Sequence, residues 1–190
     1  MELTWYVLDG MDGSGKTTIA GMLRDELESR GRSVLLIEHP NRRTHLGRLE
    51  ARLLKIDGKP ALVSAIALYV MDVVRSVWVL KRNRVYDDVV FVRYVMAVSY
   101  LPEGLARKAY KLFMSVLPSP DEKILVDVDE ITAYGRITSR GEDLERFEDL
   151  ESLRETRRRM LMLSEDGWTV IDNTGGLEDS RRMVLGCLDG

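Results

Sequence analysis

Residues 10–17 carry the pattern in this chain with the clearest chemical meaning. They read Gly-Met-Asp-Gly-Ser-Gly-Lys-Thr, a full match to the phosphate-binding loop G-x-x-x-x-G-K-[S/T]. The glycines of such a loop let backbone N–H groups face a phosphate, and the positive end of the following helix adds to the same cavity. Lys16 is expected to reach the β- and γ-phosphates, and the Thr17 hydroxyl to ligate Mg²⁺. The residues predicted to bind the triphosphate are those of the pattern and the threonine that follows it: Gly10, Met11, Asp12, Gly13, Ser14, Gly15, Lys16, Thr17 and Thr18.

The rest of the sequence narrows the class of nucleotide-binding protein. A GTPase would need the base-reading tetrapeptide Asn-Lys-x-Asp, which does not occur in the sequence. Residues 172–175, Asp-Asn-Thr-Gly, fit the D-x-x-G pattern of a GTPase switch, but they follow the last apolar run, so we interpret them as a turn. A large motor ATPase would be a longer chain. These observations favour a small-molecule kinase.

Arginines occur where they could hold an acceptor phosphate. Arg42 and Arg43 follow the second apolar run of the chain, and Arg93 with Tyr94 directly follows the third. A planar guanidinium binds phosphate through two parallel hydrogen bonds. Two such groups at neighbouring strand ends could hold a monophosphate opposite the phosphate-binding loop, although Arg42 and Arg43 would also suit a solvated turn.

Apolar runs and helical segments alternate along the chain. Five runs are continuously apolar, which indicates strands buried on both faces of a sheet; they lie at 5–8, 34–37, 89–92, 124–126 and 169–171. Segments with helical spacing lie at 17–30, 46–81 with a break near 57–58, 104–116, 131–140 and 148–164. The alternation predicts an α/β fold with a parallel sheet of about five strands and helices on both faces. Ligands of such sheets bind at the carboxyl ends of the strands, where the loop and Arg93 fall.

Length and composition set further bounds. The 190 residues fit a single domain, 1–190, and a composition with 45% hydrophobic and 31% charged residues is typical of globular proteins. The most apolar stretch, residues 61–71, is shorter than the roughly 20 residues that cross a bilayer, and the first ten residues lack the basic segment of a signal peptide. From these two features we expect a cytoplasmic chain without a membrane partner. The net charge of −3 argues against a nucleic-acid partner, because such binders are usually basic.

Motifs along nearly the whole chain resemble the thymidylate kinase family of nucleoside monophosphate kinases. The residues that carry the resemblance are Leu8 to Thr18, Pro40-Asn41-Arg42, Leu46-Gly47, Leu68-Tyr69, Arg93-Tyr94, Leu125 to Asp129, Arg136, Arg140-Gly141 and Arg146-Phe147-Glu148. The resemblance implies the three-layer fold of phosphate-loop NTPases and transfer of the γ-phosphoryl group of ATP to dTMP or a related monophosphate. It also implies Mg²⁺ as cofactor and a homodimer. The apolar helix containing Leu62, Ala65, Ile66, Tyr69 and Val73 would serve the core and a subunit interface.

The resemblance also implies roles on the acceptor side. Asp12 would approach the acceptor sugar hydroxyl, Arg42 and Arg93 the acceptor phosphate, and Tyr69 the face of the acceptor base. One branch of the family carries an arginine where this chain has Gly13, so charge neutralisation would fall to a lid, as in the other branch.

The lid is expected at about residues 136–148, with Arg136, Arg140 and Arg146 carrying its charge. Arg136 and Arg140 are four residues apart, which predicts one helix face, and the residues from Gly141 make a plausible break after them. A closing lid would exclude water and bring cations to the transferring phosphoryl group. A surface helix held by Glu–Arg pairs is the alternative. The run Arg157-Arg158-Arg159 is interpreted as a solvated face, although one of these arginines could brace the lid.

Departures from the family pattern leave the acceptor open. The family's third strand typically ends in Asp-Arg, whereas this chain has Val92 before Arg93, so we expect Asp9 or Asp12 to supply the carboxylate near Mg²⁺. The chain contains no glutamine to meet a thymine ring, and Val73 stands where the family commonly has arginine. Two alternatives therefore remain: a kinase for another small anion, and a nucleotide-binding regulatory protein that has lost catalysis.

Overall fold

Five parallel strands form one sheet in this computed structural model, which describes residues 3–40, 44–53, 59–82, 85–141 and 148–188. The strands are β1 (Thr4–Asp9), β2 (Val34–Glu38), β3 (Asp88–Val92), β4 (Glu122–Asp127) and β5 (Thr169–Asp172). They lie in the order β2-β3-β1-β4-β5, and every neighbouring pair is parallel. The predicted α/β class and the number of strands are confirmed.

Helices connect the strands, as parallel pairing requires. They are α1 (Lys16–Ser29), α2 (His45–Leu53), α3 (Lys59–Arg82), α4 (Glu103–Val116), α5 (Glu130–Thr138), α6 (Leu150–Ser164) and α7 (Leu177–Gly186), with a short 3-10 helix at Met96–Tyr100. Sequence patterns assigned no range to the 3-10 helix or to α7. Helix α6 begins two residues after the predicted start because Asp149 caps it: its carboxylate accepts a hydrogen bond from the Ser152 N–H at 2.9 Å.

The continuous apolar character of the strands reflects two separate cores. Every residue of β3 is buried, because successive side chains point to opposite faces and both faces are covered. On one face, Val89 and Phe91 join a core with residues of α3, α4 and α6. On the other face, Val90 and Val92 join a core with residues of α1 and α7. The sheet therefore lies between two helical layers.

The strand register brings the loop after β1 and the turn after β3 to the same edge of the sheet. Leu8 of β1 pairs with Val92 of β3, and Glu38 of β2 pairs with the same residue. The backbone N–H of Arg93 continues the ladder by donating to the Leu8 carbonyl at 2.9 Å. The phosphate-binding loop and Arg93 thus leave the sheet side by side.

None of the helices in the described ranges combines the length and apolar content that a bilayer crossing requires.

Candidate active site

The loop between β1 and α1 has the conformation that its glycines permit. Gly13 and Gly15 have φ angles of 76° and 86°, in the left-handed region that side chains disfavour. Lys16, the first residue of α1, is 5% exposed, and its ammonium group donates to the Met11 carbonyl at 2.8 Å across the loop. Burial and the nearby charge of Arg93 lower the pKa of Lys16 to about 8. The loop therefore holds a partly desolvated cation at its centre.

Arg93 and Asp12 form an ion pair at the mouth of the loop, in which Arg93 Nη2 donates to Asp12 Oδ1. The hydroxyl of Tyr100 donates to the other carboxylate oxygen at 3.0 Å. Burial alone would raise the pKa of Asp12, but the charges of Arg93 and Lys16 and these hydrogen bonds hold it well below its usual range. Arg93 also has a positive φ of 67°, a strained conformation for a residue with a side chain. The turn after β3 is thus bent so that a guanidinium faces the phosphate-binding loop.

Asp9, the last residue of β1, has a buried and hydrogen-bonded carboxylate. Its side chain is 1% exposed, and its Oδ2 accepts hydrogen bonds from the backbone N–H groups of Tyr94, Val95 and Met96 at 3.0, 3.1 and 3.2 Å. Burial raises the pKa of the carboxyl, although these hydrogen bonds oppose the shift. This geometry makes Asp9 the support of the turn after Arg93, and its role as a metal ligand beside Thr17 stays a prediction.

A cavity of about 970 Å³ opens between the phosphate-binding loop, the ends of β2 and β3, and α3. Its lining includes the predicted residues Asp12, Gly13, Gly15, Lys16, Thr17, Thr18, Arg93 and Arg140. Met11 and Ser14 are buried within the loop. Gly10 directly follows Asp9, the last residue of β1. The cavity brings together six of the nine residues predicted for the triphosphate and one of those predicted for the acceptor phosphate.

The lid arginines are placed differently from one another. Helix α5 ends at Thr138, so the prediction that Arg136 and Arg140 share a helix face is wrong; Gly141 at φ 70° follows the end of the helix. Arg140 nonetheless lines the cavity. Arg136 instead donates to two backbone carbonyls, that of Asn173 at 2.9 Å and that of Gly13 at 3.4 Å. Arg146 lies outside the described residues.

On the acceptor side the structure describes some of the predicted residues. Tyr69 of α3 is 4% exposed and its ring edge faces the ring of His39, with centroids 6.2 Å apart. Val73 lies fully in the core, and Val92, which stands where the family has aspartate, is buried at the strand end. Arg42 and Arg43 lie outside the described residues. The catalytic and binding roles of all these residues stay predictions.

Two polar residues at strand ends were not predicted as functional. His39 is 3% exposed, and its ring nitrogens lie 3.0 Å from the Arg93 carbonyl oxygen and 3.0 Å from the Ser76 hydroxyl. Asn173, within the segment interpreted as a turn, is 4% exposed and its amide donates to the Ser14 carbonyl at 2.7 Å. A polar residue directly after an apolar run was the available signal for both.

The three arginines of α6 are not a purely solvated face. Arg157 makes two hydrogen bonds to the carboxylate of Asp127, at 2.9 and 2.8 Å, and Arg159 donates to the Ser99 carbonyl at 3.1 Å. Arg158 is the more exposed of the three and pairs with Glu103 of α4 at 2.9 Å. Helix α6 is therefore tied to β4, to the 3-10 helix and to α4.

Comparison with known proteins identifies the family. The family model described as thymidylate kinase matches residues 8–184. The chain belongs to the thymidylate kinase family. Similar members include the probable thymidylate kinase of Pyrococcus abyssi, 33% identical over 85% of this chain and 82% of its own length. The probable thymidylate kinase of Metallosphaera sedula is 27% identical over 97% of this chain and 91% of its own length.

The fold agrees with this membership of the thymidylate kinase family. The structure of a thymidylate kinase from Candida albicans aligns with a TM-score of 0.74 and covers 98% of this chain and 91% of that one. The two sequences are 18% identical, so this likeness concerns the arrangement of strands and helices. The expected family and its three-layer fold are confirmed.

Proposed function

We propose that this protein transfers the γ-phosphoryl group of ATP to a nucleoside monophosphate, with dTMP as the first acceptor to test. The observation that carries the proposal is the pairing of two phosphate-directed features across one cavity. The phosphate-binding loop with Lys16 forms one wall, and Arg93 stands beside it at the end of the neighbouring strand. Membership of the thymidylate kinase family supports the reaction type.

On the donor side, the loop and α1 would bind the triphosphate. Lys16 is positioned to move from the Met11 carbonyl to phosphate oxygens, which offer a full negative charge in place of a carbonyl dipole. Arg140, which follows the end of α5, also lines the cavity. Its charge can stabilise the transferring phosphoryl group there. We retain Arg136 and Arg146 as further lid cations in this proposal.

On the acceptor side, Arg93 would hold the monophosphate. A guanidinium can bind a phosphate through two hydrogen bonds, and in this proposal Asp12 and Tyr100 hold the group in place until the acceptor arrives. Asp12 is proposed to meet the sugar hydroxyl, Arg42 to share the phosphate and Tyr69 to pack on the base. Because a monophosphate with a second pKa near 6 is already largely ionised at pH 7, alignment of the two phosphates suffices and no strong general base is required.

The residues present fit a magnesium ion that arrives with the triphosphate. Mg²⁺ usually keeps several waters and is bound by few protein oxygens together with substrate phosphates. Thr17, exposed in the cavity next to Lys16, offers such an oxygen. In the described ranges there is no group of three His, Cys, Asp or Glu side chains that could hold an ion by themselves. Bound there, Mg²⁺ would neutralise charge on the β- and γ-phosphates.

A nucleotide-binding regulatory protein is the second candidate, favoured by one observation. Val92 leaves the end of β3 without a carboxylate, and the Asp9 carboxylate is enclosed by backbone N–H groups. A protein that binds ATP without transferring its phosphoryl group would tolerate this loss. The family pattern also does not assign the acceptor base, because Val73, buried in the core, stands where the family commonly has arginine.

We infer that two copies associate through α3. Ala65, Tyr69 and Val73 are buried, so this face of the helix serves the core as predicted, and we place the interface on its exposed residues. The exposed apolar residues of α3 include Met71, Val74 and Trp78, at 49%, 48% and 54% exposure and with helical spacing. Such a stripe is self-complementary about a two-fold axis. We also propose the cytoplasm, where ATP and nucleoside monophosphates are available, as the location.

Incubation with Mg-ATP and a panel of monophosphates tests the proposed reaction. The expected result is a nucleoside diphosphate from at least one acceptor, with dTMP and dUMP tested beside UMP, CMP, AMP and GMP. Lys16→Ala should abolish turnover, whereas Lys108→Ala, an exposed lysine of α4, should not change it. Stabilisation against heat by ATP, with no product from any acceptor, would contradict the kinase and support the regulatory candidate.

A further inference from the structure

Asn173 joins four parts of the site although it lies in a short loop between β5 and α7. Its backbone N–H donates to the Asp127 carbonyl at 2.8 Å, and its own carbonyl accepts from Arg136 at 2.9 Å. Its side-chain amide donates to the Ser14 carbonyl at 2.7 Å, and its side-chain oxygen accepts from the Ser180 hydroxyl at 2.6 Å. One residue therefore connects the end of β4, α5, the phosphate-binding loop and α7.

The orientation of the Asn173 amide follows from its partners. The Ser14 carbonyl has no proton to give, so it must face the NH₂ group and not the amide oxygen. Ser180 is 0% exposed and its hydroxyl donates to that oxygen. A reversed amide would set two carbonyl oxygens against each other in a buried place. Ser180 thus helps to hold the amide in the one orientation in which it can donate to the loop.

The contact determines the direction of a backbone N–H in the phosphate-binding loop. A trans peptide unit is planar, so its C=O and its N–H point in opposite directions. When the Ser14 carbonyl faces Asn173, the N–H of Gly15 in the same unit is turned to the other side. Arg136 holds the preceding unit in a similar way through the Gly13 carbonyl at 3.4 Å. These contacts occupy the carbonyls of two successive peptide units.

The packing leaves no room for a side chain at position 15, where the sequence has glycine. A Cβ placed there would lie 2.4 Å from the Asn173 amide nitrogen, far inside van der Waals contact. Asn173 therefore fills the space behind the loop that a side chain at this position would take. The glycine of the phosphate-binding pattern and the asparagine of a distant turn are complementary in shape.

We propose that Asn173, oriented by Ser180, is a positioning residue that aims the Gly15 N–H at the triphosphate. The proposal rests on the proposed function insofar as ATP is the ligand of the loop. It assigns a task to the 172–175 turn, which the sequence pattern alone did not connect with nucleotide binding. The affinity for ATP should depend on the Asn173 amide even though the side chain itself lies behind the loop.

Asn173→Asp is the sharpest test, because it keeps the shape of the side chain and replaces the donor with an acceptor. We expect ATP to bind at least tenfold more weakly at pH 7.5 by titration calorimetry with the full chain. Lowering the pH should narrow the ratio between variant and wild-type dissociation constants, since a protonated carboxyl can again donate to Ser14. Arg136, which donates to the backbone carbonyl of residue 173, is the charged group among the partners of this residue. Its guanidinium does not titrate between pH 7.5 and 5.5, so it cannot cause the pH dependence. A merely structural defect would not recover in this way.

Two further variants complete the experiment. Ser180→Ala leaves Asn173 in place and should weaken ATP binding about threefold, which keeps the test available if the aspartate variant fails to fold. Thr174→Ala, an exposed neighbour in the same loop, should bind ATP like the wild type. Affinities within twofold of wild type for both network variants, or a deficit of Asn173→Asp that is constant from pH 7.5 to 5.5, would overturn the proposal. A wild-type protein that binds no ATP would overturn the proposed function as well.

Discussion

Arg93 and Asp12 pair across the gap between the turn after β3 and the phosphate-binding loop. Their side chains are 26% and 21% exposed, so the pair lies at the wall of the cavity and can be reached by a ligand. Each partner has a proposed task on the acceptor, one for the phosphate and one for the sugar. The pair therefore keeps both groups within one small region before the acceptor is bound.

Arg93→Lys should separate acceptor binding from donor binding. A lysine keeps the positive charge next to Asp12 but offers a point charge in place of a two-pronged donor. We expect the KM for the monophosphate to rise at least tenfold, about 1.4 kcal/mol in transition-state binding, while the ATP dissociation constant changes less than twofold. Arg154→Lys, a surface arginine of α6 that is 61% exposed, is the matched control. Unchanged acceptor kinetics would argue against Arg93 as the phosphate ligand.

The affinity for ATP should fall as the pH rises above 8. The pKa of Lys16 is lowered to about 8, so its cationic form is present below that pH and is lost above it. The anionic phosphates of ATP bind the cationic form of Lys16 more strongly, and a phosphate with a second pKa near 6 is already largely ionised at pH 7 and above. At pH 9 about one tenth of Lys16 is protonated, which corresponds to roughly tenfold weaker binding than at pH 7. Calorimetry without divalent cations measures this.

The Lys16→Ala variant is the control for the pH series. Its residual affinity should be weak and the same at pH 7 and pH 9. A wild-type protein whose ATP affinity is constant across this interval would show that Lys16 does not titrate near 8 or does not contact the triphosphate.

Two glycine substitutions should change stability in opposite directions. A Cβ at Gly13, at φ 76°, would lie 2.5 Å from the Ala133 carbonyl oxygen, so Gly13→Ala should destabilise the fold by about 2 kcal/mol. Gly21 lies inside α1 with nothing within 4 Å of an added Cβ, so Gly21→Ala should stabilise the protein by about 0.5–1 kcal/mol. Urea unfolding measures both. Equal midpoints for the two variants would show that the loop can relax around a side chain.

Trp78→Glu should dissociate the proposed dimer. Burying a charge in an apolar stripe is unfavourable, so light scattering coupled to gel filtration should show the monomer mass where the wild type shows twice that mass. Leu112→Glu, on the exposed face of α4 and 59% exposed, should leave the mass unchanged. A wild type that elutes as a monomer, or a dimer that persists in Trp78→Glu, would rule out this face.

Local patterns were sufficient to predict the strand, loop and helix that form the proposed donor half of the site. The strand ending at Asp9, the loop and the helix from Lys16 are contiguous in the chain, so spacing alone identified them. The position of Arg93 at a strand end could also be predicted from the sequence, because a charged residue directly after a fully apolar run indicates the end of a strand. The strand bounds agreed to within two residues at each end. Strand β3 is buried on both faces and is therefore apolar without interruption, whereas β2 and β5, at the sheet edges, are partly exposed and the expectation of full burial was wrong for them.

Residues whose roles depend on distant contacts could not be predicted in this way. The 3-10 helix at Met96–Tyr100 forms where the Asp9 carboxylate receives three N–H groups, and this requires the register between β1 and β3. Asn173 reaches the loop across 159 positions of sequence. The end of α5 before Arg140 was missed because the helical spacing continues past the residue at which the backbone turns.

The close contact between Gly13 and Ala133 limits how this site can evolve. The carbonyl of α5 occupies the space into which a side chain at position 13 would have to extend. An arginine in the loop, as one branch of the family has, would therefore require α5 to move first. A side chain at position 13 therefore requires the helix and the loop to change together.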